Sequence, residues 1–215
     1  VGKTTTTRLI AHIVKTMGHR VGFTTTDGIY IQNQMVEKGD CTGPVSSSFV
    51  LKDPTVDFAV LECARGGILK AGLAFQNCEV AVVTNVAADH MGLGGIHTIE
   101  AMAKVKQVVP ETVFPHGYAV LNADDDLVYK MKNDLKCNIA LFSMDENNPR
   151  IKEHAKNNGL ACVYENGYVT IMQGSWKIRV LPAREIPLTY EGKAIHNINN
   201  CLPAVLSTYL FRDIT

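Results

Sequence analysis

The stretch Val1-Gly2-Lys3-Thr4-Thr5 decides the fold class, because it matches the end of a phosphate-binding loop that opens a helix. The glycine lets backbone N–H groups approach phosphate oxygens, and the N-terminus of the following helix favours anions. Lys3 adds a positive charge near the β- and γ-phosphates, and Thr4 offers a hydroxyl to Mg²⁺. The stretch therefore predicts that Gly2, Lys3, Thr4 and Thr5 bind ATP; a chance Gly-Lys-Thr at a helix start is the alternative.

A phosphate loop normally follows a β-strand, and its first glycine precedes the Gly-Lys pair by several residues. Here the sequence opens inside that loop, at Val1. We therefore expect the chain to be part of a longer polypeptide, with the other domains of that polypeptide as its partners. We also expect this part alone to bind nucleotide poorly.

Helical and strand-like segments alternate after the loop. Apolar residues recur at helical spacing over residues 3–17. Runs of β-forming residues, typical of strands covered on both faces, occupy residues 20–24, 57–62, 79–84, 118–121 and 139–142. Further helices are predicted over residues 98–109, ended by Pro110, and over residues 124–133. The alternation predicts an α/β fold with a doubly wound, mostly parallel sheet.

The pattern changes near the C-terminal end of the chain. Two turn signals, Asn166-Gly167 and Gly174-Ser175, separate three short runs of β-forming residues. They predict a small antiparallel meander within residues 161–190 that joins the sheet. A final helix is expected over about residues 196–211.

Charge and composition argue against several classes of function. Lysine plus arginine (21) equals aspartate plus glutamate (21), which gives no electrostatic reason to propose nucleic acid or an anionic membrane as a partner. No apolar run reaches the roughly 20 residues of a transmembrane helix. The six cysteines are scattered without a C-x-x-C pair, which predicts reduced thiols in a cytoplasmic protein.

Polar residues follow two of the predicted strands, and ligands of parallel sheets bind at the carboxyl ends of the strands. Glu62 ends one strand and is a candidate Mg²⁺ ligand, with a solvated carboxylate as the alternative. His90 follows the next strand and, taken alone, is more typical of a structural residue. Lys104 and Lys106 lie on the helix after it, where a single lysine is usually solvated.

The opening loop also fits the partitioning-type regulatory ATPases, which act as switches rather than synthetases. Such a switch predicts a D-x-D-like strand end after the first helix, where this chain has Thr24-Thr25-Thr26-Asp27. Because these residues follow a strand near the expected switch point of the sheet, Thr25, Thr26 and Asp27 are candidate contacts to a substrate.

Five segments, in this order, resemble the Mur ligase and folylpolyglutamate synthase superfamily. They are Leu61-Glu62, Thr84-Asn85-Val86-Ala87-Ala88-Asp89-His90, Ala103-Lys104-Val105-Lys106, Leu121-Asn122-Ala123-Asp124-Asp125 and His196-Asn197-Ile198-Asn199-Asn200. The resemblance spans nearly the whole chain and corresponds to the central ATP-binding domain of the superfamily. It implies an ATP-dependent carbon–nitrogen ligase that activates a carboxylate as an acyl phosphate and lets an amine displace the phosphate.

The resemblance also implies roles for individual residues. Lys3 would stabilise the charge on the γ-phosphate, and Thr4 with Glu62 would hold one Mg²⁺. His90 would hold a second Mg²⁺ that contacts the acyl phosphate. Lys106 corresponds best to the carbamylated lysine of the superfamily, whose carbamate ligates Mg²⁺, and Lys104 is the alternative.

Asn197 and Asn200, three residues apart on one helical face, would by the same resemblance hydrogen-bond adenine. The alternative is that these asparagines serve as an N-cap and a polar helix surface.

Three further segments point to one branch of the superfamily. They are Thr24-Thr25-Thr26-Asp27-Gly28-Ile29-Tyr30, Gly39-Asp40-Cys41-Thr42-Gly43-Pro44 and Ala64-Arg65-Gly66-Gly67-Ile68-Leu69. They are similar to the branch in which this domain follows an ATP-grasp domain and adds arginine to aspartate β-carboxylates on a polyaspartate backbone. Arginine and a polyaspartate acceptor are therefore the implied substrates. A muramyl-peptide or folyl-glutamate acceptor and a homo-oligomeric state stay open.

Overall fold

The computed structural model describes residues 2–87 and 95–214 of the chain. The helices are α1 (Lys3–Thr16), α2 (Pro44–Lys52), α3 (Arg65–Ala71), α4 (Ile99–Glu111), α5 (Asp126–Lys130), α6 (Pro149–Lys156) and α7 (Ile195–Ile214). The strands are β1 (Val21–Thr25), β2 (Gly28–Ile31), β3 (Gln34–Lys38), β4 (Phe58–Leu61), β5 (Cys78–Val83), β6 (Val113–Asn122), β7 (Asn138–Ser143), β8 (Leu160–Glu165), β9 (Tyr168–Gln173) and β10 (Trp176–Pro182).

The strands form two sheets. The first has the order β3-β2-β1-β4, in which β1 and β4 are parallel and the β1–β2–β3 connections are antiparallel. The second has the order β10-β9-β8-β7-β6-β5 and is parallel from β5 to β8. The α/β fold with a mostly parallel sheet is thus confirmed, but β4 and β5 are the edges of separate sheets rather than neighbours in one.

Helices cover both faces of these sheets. On one face α1 packs against β1 and β4, α7 packs against β5 to β9, and the two helices pack against each other. On the other face α2 packs on the first sheet and α4 on the second, with α3 between them. The core follows the alternation of the strands: Val120 and Phe142 pack with α7, while Leu121 and Leu141 pack with α4 and α6.

The antiparallel meander is present as β8, β9 and β10. The long helix after Thr98 is also confirmed, with the Thr98 side chain accepting a hydrogen bond from the Ala101 amide. The predicted end of that helix at Pro110 is wrong, since α4 continues to Glu111 with the proline in its last turn.

The hairpin of β2 and β3 was not predicted from the sequence. Its turn is formed by Gln32 and Asn33, both with positive φ (48° and 71°). The asparagine tolerates this left-handed backbone and is the local signal for the turn. Within the part of the chain that the structure describes, no helix is long and apolar enough to span a membrane.

Candidate active site

The N-terminus of α1 is built for a close backbone approach. Gly2 precedes the helix with φ of 85°, a left-handed conformation that favours glycine, and its carbonyl accepts from the Thr6 amide at 2.9 Å. A Cβ atom on Gly2 would lie only 2.1 Å from Asn200 Oδ1 on α7. The backbone angle therefore favours glycine at this position, and a larger residue would in addition displace the side chain of Asn200.

Glu62 follows β4 and reaches the start of α1. Its side chain is buried, and its Oε2 accepts a hydrogen bond from Thr4 Oγ1 at 2.8 Å. Lys3 Nζ lies 3.8 Å from the other oxygen, Oε1. Among the described residues, that Oε1 has no hydrogen-bond partner. The structure thus brings together the three residues whose roles as nucleotide and metal ligands were predicted from separate parts of the sequence.

The electrostatic surroundings of Glu62 favour a bound cation. Burial raises the pKa of this carboxyl above its usual value, and the hydrogen bond from Thr4 and the charge of Lys3 oppose that shift only in part. A carboxylate oxygen and a hydroxyl are hard oxygen donors of the kind Mg²⁺ prefers. The unpartnered Oε1 and the Thr4 hydroxyl therefore fit a Mg²⁺ ion. Across residues 2–87 and 95–214, no group of three His, Cys, Asp or Glu side chains forms a metal cluster by itself.

Thr26 borders the same place from the turn between β1 and β2. Its Oγ1 lies 3.2 Å from Thr4 Oγ1. The candidate substrate residue at this position is therefore adjacent to the candidate nucleotide site.

The Asp27 carboxylate, in contrast, is engaged within the protein. It accepts hydrogen bonds from Thr25 Oγ1, Tyr30 OH and Arg8 on α1. These donors, with the Thr25 hydroxyl the largest contributor, hold the pKa of Asp27 below its usual range. Arg8 also lies over the Tyr30 ring, 5.0 Å from its centre. Asp27 thus joins the β1–β2 turn to α1.

Sequence reasoning missed Arg8. It lies four residues after Thr4, on the same face of α1, and this spacing was the available signal.

Lys106 and Lys104 differ in their surroundings. Lys106 Nζ donates a hydrogen bond to the Asn85 carbonyl oxygen at 2.7 Å, at the end of β5, and lines the same cavity as Lys3 and Glu62. Lys104 is exposed. His90, which was predicted as both a metal ligand and a catalytic residue, lies outside the described residues.

Asn197 and Asn200 lie in the first turns of α7. Asn197 Nδ2 donates to the Leu188 carbonyl at 2.7 Å, and Asn200 Nδ2 lies 3.5 Å from Asn197 Oδ1. The short distance from Asn200 to a Cβ placed on Gly2 shows that the Asn200 amide lies beside the start of α1.

The sequence and the fold of the chain match a known family. The sequence model of the Mur ligase middle domain matches residues 1–208, and the chain belongs to that family. The chain is 57% identical over 209 residues to a cyanophycin synthetase of Geminocystis herdmanii, covering 97% of this chain and 24% of that protein. It is 58% identical to a cyanophycin synthetase of Synechocystis sp., with the same two coverages. The chain therefore spans about a quarter of the length of these relatives.

The chain is also similar to more distantly related proteins. A UDP-N-acetylmuramoylalanine–D-glutamate ligase of Citrifermentans bemidjiense is 29% identical over 98% of this chain and 39% of that protein. Among solved structures, a UDP-N-acetylmuramoyl-L-alanyl-D-glutamate–2,6-diaminopimelate ligase superposes with a TM-score of 0.65 at 21% identity, over 96% of this chain and 43% of that one. E. coli FolC in complex with DHPP and ADP gives 0.61 at 15% identity, over 99% and 50%. These two likenesses show a shared fold.

Proposed function

We propose that this chain is the ATP-binding domain of a longer ATP-dependent ligase that joins arginine to aspartate β-carboxylates of a polyaspartate acceptor. The observation that carries the proposal is the cluster of Lys3, Thr4 and buried Glu62 at the start of α1. The choice of acceptor rests on the 57% and 58% identity to cyanophycin synthetases, against 29% to a muramyl ligase.

In this proposal the start of α1 binds the phosphates of ATP. Backbone amides of Lys3, Thr4 and Thr5 at the helix N-terminus, next to Gly2, offer donors to phosphate oxygens. Lys3 Nζ neutralises charge that develops on the γ-phosphoryl group while the acceptor carboxylate attacks it. An acyl phosphate forms, and ADP leaves. The amine of arginine then displaces phosphate and forms the amide.

Thr4 and Glu62 are the residues that would hold Mg²⁺. The ion, when bound, offsets the charge of the phosphates. Glu62 is suited to this because its buried carboxylate lacks a hydrogen-bond partner at Oε1 and gains from a cation there. His90 remains the proposed residue for a second Mg²⁺, on the resemblance alone.

Lys106 is the lysine we propose for carbamylation. Addition of CO₂ to its neutral amine would form a carbamate and release a proton, which turns a cation into an anion able to ligate Mg²⁺. Its position on the cavity shared with Lys3 and Glu62 favours it over the exposed Lys104.

The proposed contacts to adenine and to the acceptor follow from where the residues lie relative to the start of α1. We propose that Asn197 and Asn200 bind adenine, since Asn200 lies beside the start of α1 and Asn197 lies next to Asn200. Thr26 is the proposed contact to the acceptor because its hydroxyl lies beside that of Thr4. Thr25 and Asp27 would act by holding the turn that carries Thr26.

The acceptor is tested by ADP release from the intact parent protein. Arginine together with an aspartate-rich peptide should stimulate turnover, whereas arginine alone should not. Stimulation by a muramyl-peptide or folyl-glutamate acceptor, with no response to the aspartate peptide, would assign the protein to another ligase of the family.

A further inference from the structure

Arg8 lies on α1 one turn beyond the residues proposed to bind nucleotide. Residues four apart on a helix are neighbours on one face, about 6 Å apart along the axis. Thr4, four residues before Arg8, is a proposed Mg²⁺ ligand, and its hydroxyl lies 3.2 Å from that of Thr26. Asp27, next to Thr26, accepts a hydrogen bond from Arg8. The Arg8 side chain therefore borders the place where the acceptor is proposed to react.

The guanidinium of Arg8 is held in place from two sides. Its Nη2 donates to Asp27 Oδ2 and, at 2.9 Å, to Tyr30 OH. The group also lies 5.0 Å from the centre of the Tyr30 ring, which is buried and stacked on Phe23. Because a planar cation fixed in this way is already ordered, it loses little further freedom when it binds an anion.

Arg8 keeps hydrogen-bonding capacity for a ligand. A guanidinium has five N–H donors, and every hydrogen bond that Arg8 makes to a described residue comes from Nη2. The donors on Nε and Nη1 are left for solvent or a ligand, since the side chain is 44% exposed. The Asp27 carboxylate also accepts from Thr25 and Tyr30, so its charge is shared among three donors. The ion pair therefore neutralises Arg8 only in part.

Negative charge at this end of the fold otherwise opposes an acidic acceptor. Glu62 is buried here, and the carboxylate of Asp40 is close enough to raise the pKa of Glu62 further. Lys3 faces Glu62 and the proposed phosphate site. Arg8 supplies positive charge on the other side, at the turn between β1 and β2.

We propose that Arg8 binds a second carboxylate of the acceptor, beside the aspartate carboxylate that reacts. The inference rests on the proposed ligase function and deepens it. Alternate residues of an extended peptide lie on one side, about 6.6 Å apart. This spacing matches the separation of about 6 Å between Thr4 and Arg8 along α1. A peptide extended along α1 therefore places one carboxylate at Thr4 and the next but one at Arg8.

The same chemistry has a second source. An acceptor that ends in the reacting aspartate offers its main-chain carboxylate as well, and an arginine binds either carboxylate through charge-assisted hydrogen bonds. Both sources share one requirement, which is an anion beside the reacting group. The acceptor peptides in the test separate them.

Steady-state kinetics of the intact parent protein test the proposal with three peptides. The reference peptide ends in an aspartate and carries a second aspartate two residues before it. In one altered peptide the second aspartate is asparagine, and in the other the terminal carboxylate is a carboxamide. Loss of the carboxylate that Arg8 binds should raise the KM for the peptide at least about tenfold, while kcat changes less than about threefold. The altered peptide that shows this rise identifies the source of the carboxylate.

Variants then assign the effect to Arg8. Arg8→Gln should raise the KM for the reference peptide at least about tenfold, leave the KM for ATP unchanged and no longer distinguish the peptides. Arg8→Lys keeps the charge and should retain part of the distinction. Arg20→Gln is the matched control, because it also removes an exposed arginine paired with an aspartate, Asp57, and it should keep the full distinction. Equal activity of Arg8→Gln and the natural protein on the altered peptide shows that the variant is folded.

Three results would overturn the proposal. The first is an equal KM of the natural protein for all three peptides, and the second is an Arg8→Gln variant that still distinguishes them. The third is an Asp27→Asn variant that loses the distinction as fully as Arg8→Gln, since Arg8 would then act only through its ion pair. Absence of amide formation with every peptide would instead refute the proposed ligase function itself.

Discussion

Replacing Glu62 by Gln should stabilise the folded chain while it removes metal-dependent function. The carboxylate is buried with one oxygen unpartnered, and burial raises its pKa above the ordinary value of 4.5. Gln keeps the volume and the oxygen that accepts from Thr4, but carries no charge. The residue best suited to hold Mg²⁺ is therefore one that the fold itself accommodates poorly.

The size of the effect follows from removing the charge of that buried carboxylate. A buried polar group without a partner costs about 1–3 kcal/mol and more when it is charged, so the neutral Gln amide costs less to bury. Loss of the contact with Lys3, a side chain 40% exposed, lowers the stability by only about 0–1 kcal/mol. With the middle of each range, the free energy of unfolding should rise by about 1–2 kcal/mol. For a chain of this size that is a gain of about 2–8 °C in melting temperature.

The stabilisation expected for Glu62→Gln depends on pH. A carboxyl whose folded-state pKa is raised contributes most to stability below its unfolded pKa and loses that contribution as pH rises through the folded value. The advantage of Glu62→Gln should therefore be small below pH 4.5 and grow above it.

Thermal unfolding without added metal, from pH 4 to 8, measures this effect, with Glu165→Gln as the matched control. Glu165 is also buried, but Lys177 pairs with it and holds its pKa below the usual range. Glu165→Gln should lower stability at neutral pH, opposite in sign to Glu62→Gln. A loss of stability in Glu62→Gln at neutral pH would refute the account of Glu62 as an uncompensated buried charge.

Three further predictions concern the same end of the fold. Gly2→Ala should lower nucleotide affinity and melting temperature more than Gly18→Ala does. The two glycines share a left-handed φ (85° and 101°), but of the two only Gly2 has a neighbour within 4 Å of an added Cβ. Equal effects of the two substitutions would exclude the contact with α7. Lys106→Ala should lower ligase activity by about 10–100-fold and be rescued by short carboxylic acids, while Lys104→Ala stays active. Loss and rescue in Lys104→Ala instead, with Lys106→Ala active, would assign the carbamate to Lys104. Asp27→Asn should lower the unfolding free energy by about 0.5–1 kcal/mol at pH 7. That difference should vanish as pH falls through the lowered pKa of Asp27, and an effect independent of pH would contradict its ion pair.

Local patterns predicted most of the strands and part of the site. Runs of β-forming residues are set by side-chain type within a few positions, so β4 to β7 were visible in the sequence. Glu62 could be placed because parallel strands end at a common edge. Its contact with Thr4, 58 residues away along the chain, followed from the fold class and not from spacing.

Other features depend on contacts that no local pattern encodes. The placement of β4 and β5 at the edges of two separate sheets is visible only in the assembled fold. The contact of Asn200 with Gly2 arises from how α7 crosses α1. The partners of Asp27 lie on α1, β1 and β2, so a residue that was predicted to contact substrate is held by Arg8, Thr25 and Tyr30.

The most direct test of the proposed function follows product and ATP together in the intact parent protein. Mass spectrometry would count arginine joined to an aspartate-rich peptide, and ADP would be measured in the same reaction, for the natural protein and for Lys3→Ala. We predict one ADP for each arginine added, and loss of both products in Lys3→Ala. ATP turnover without amide formation would contradict the proposed ligase activity and favour an ATPase that works as a switch.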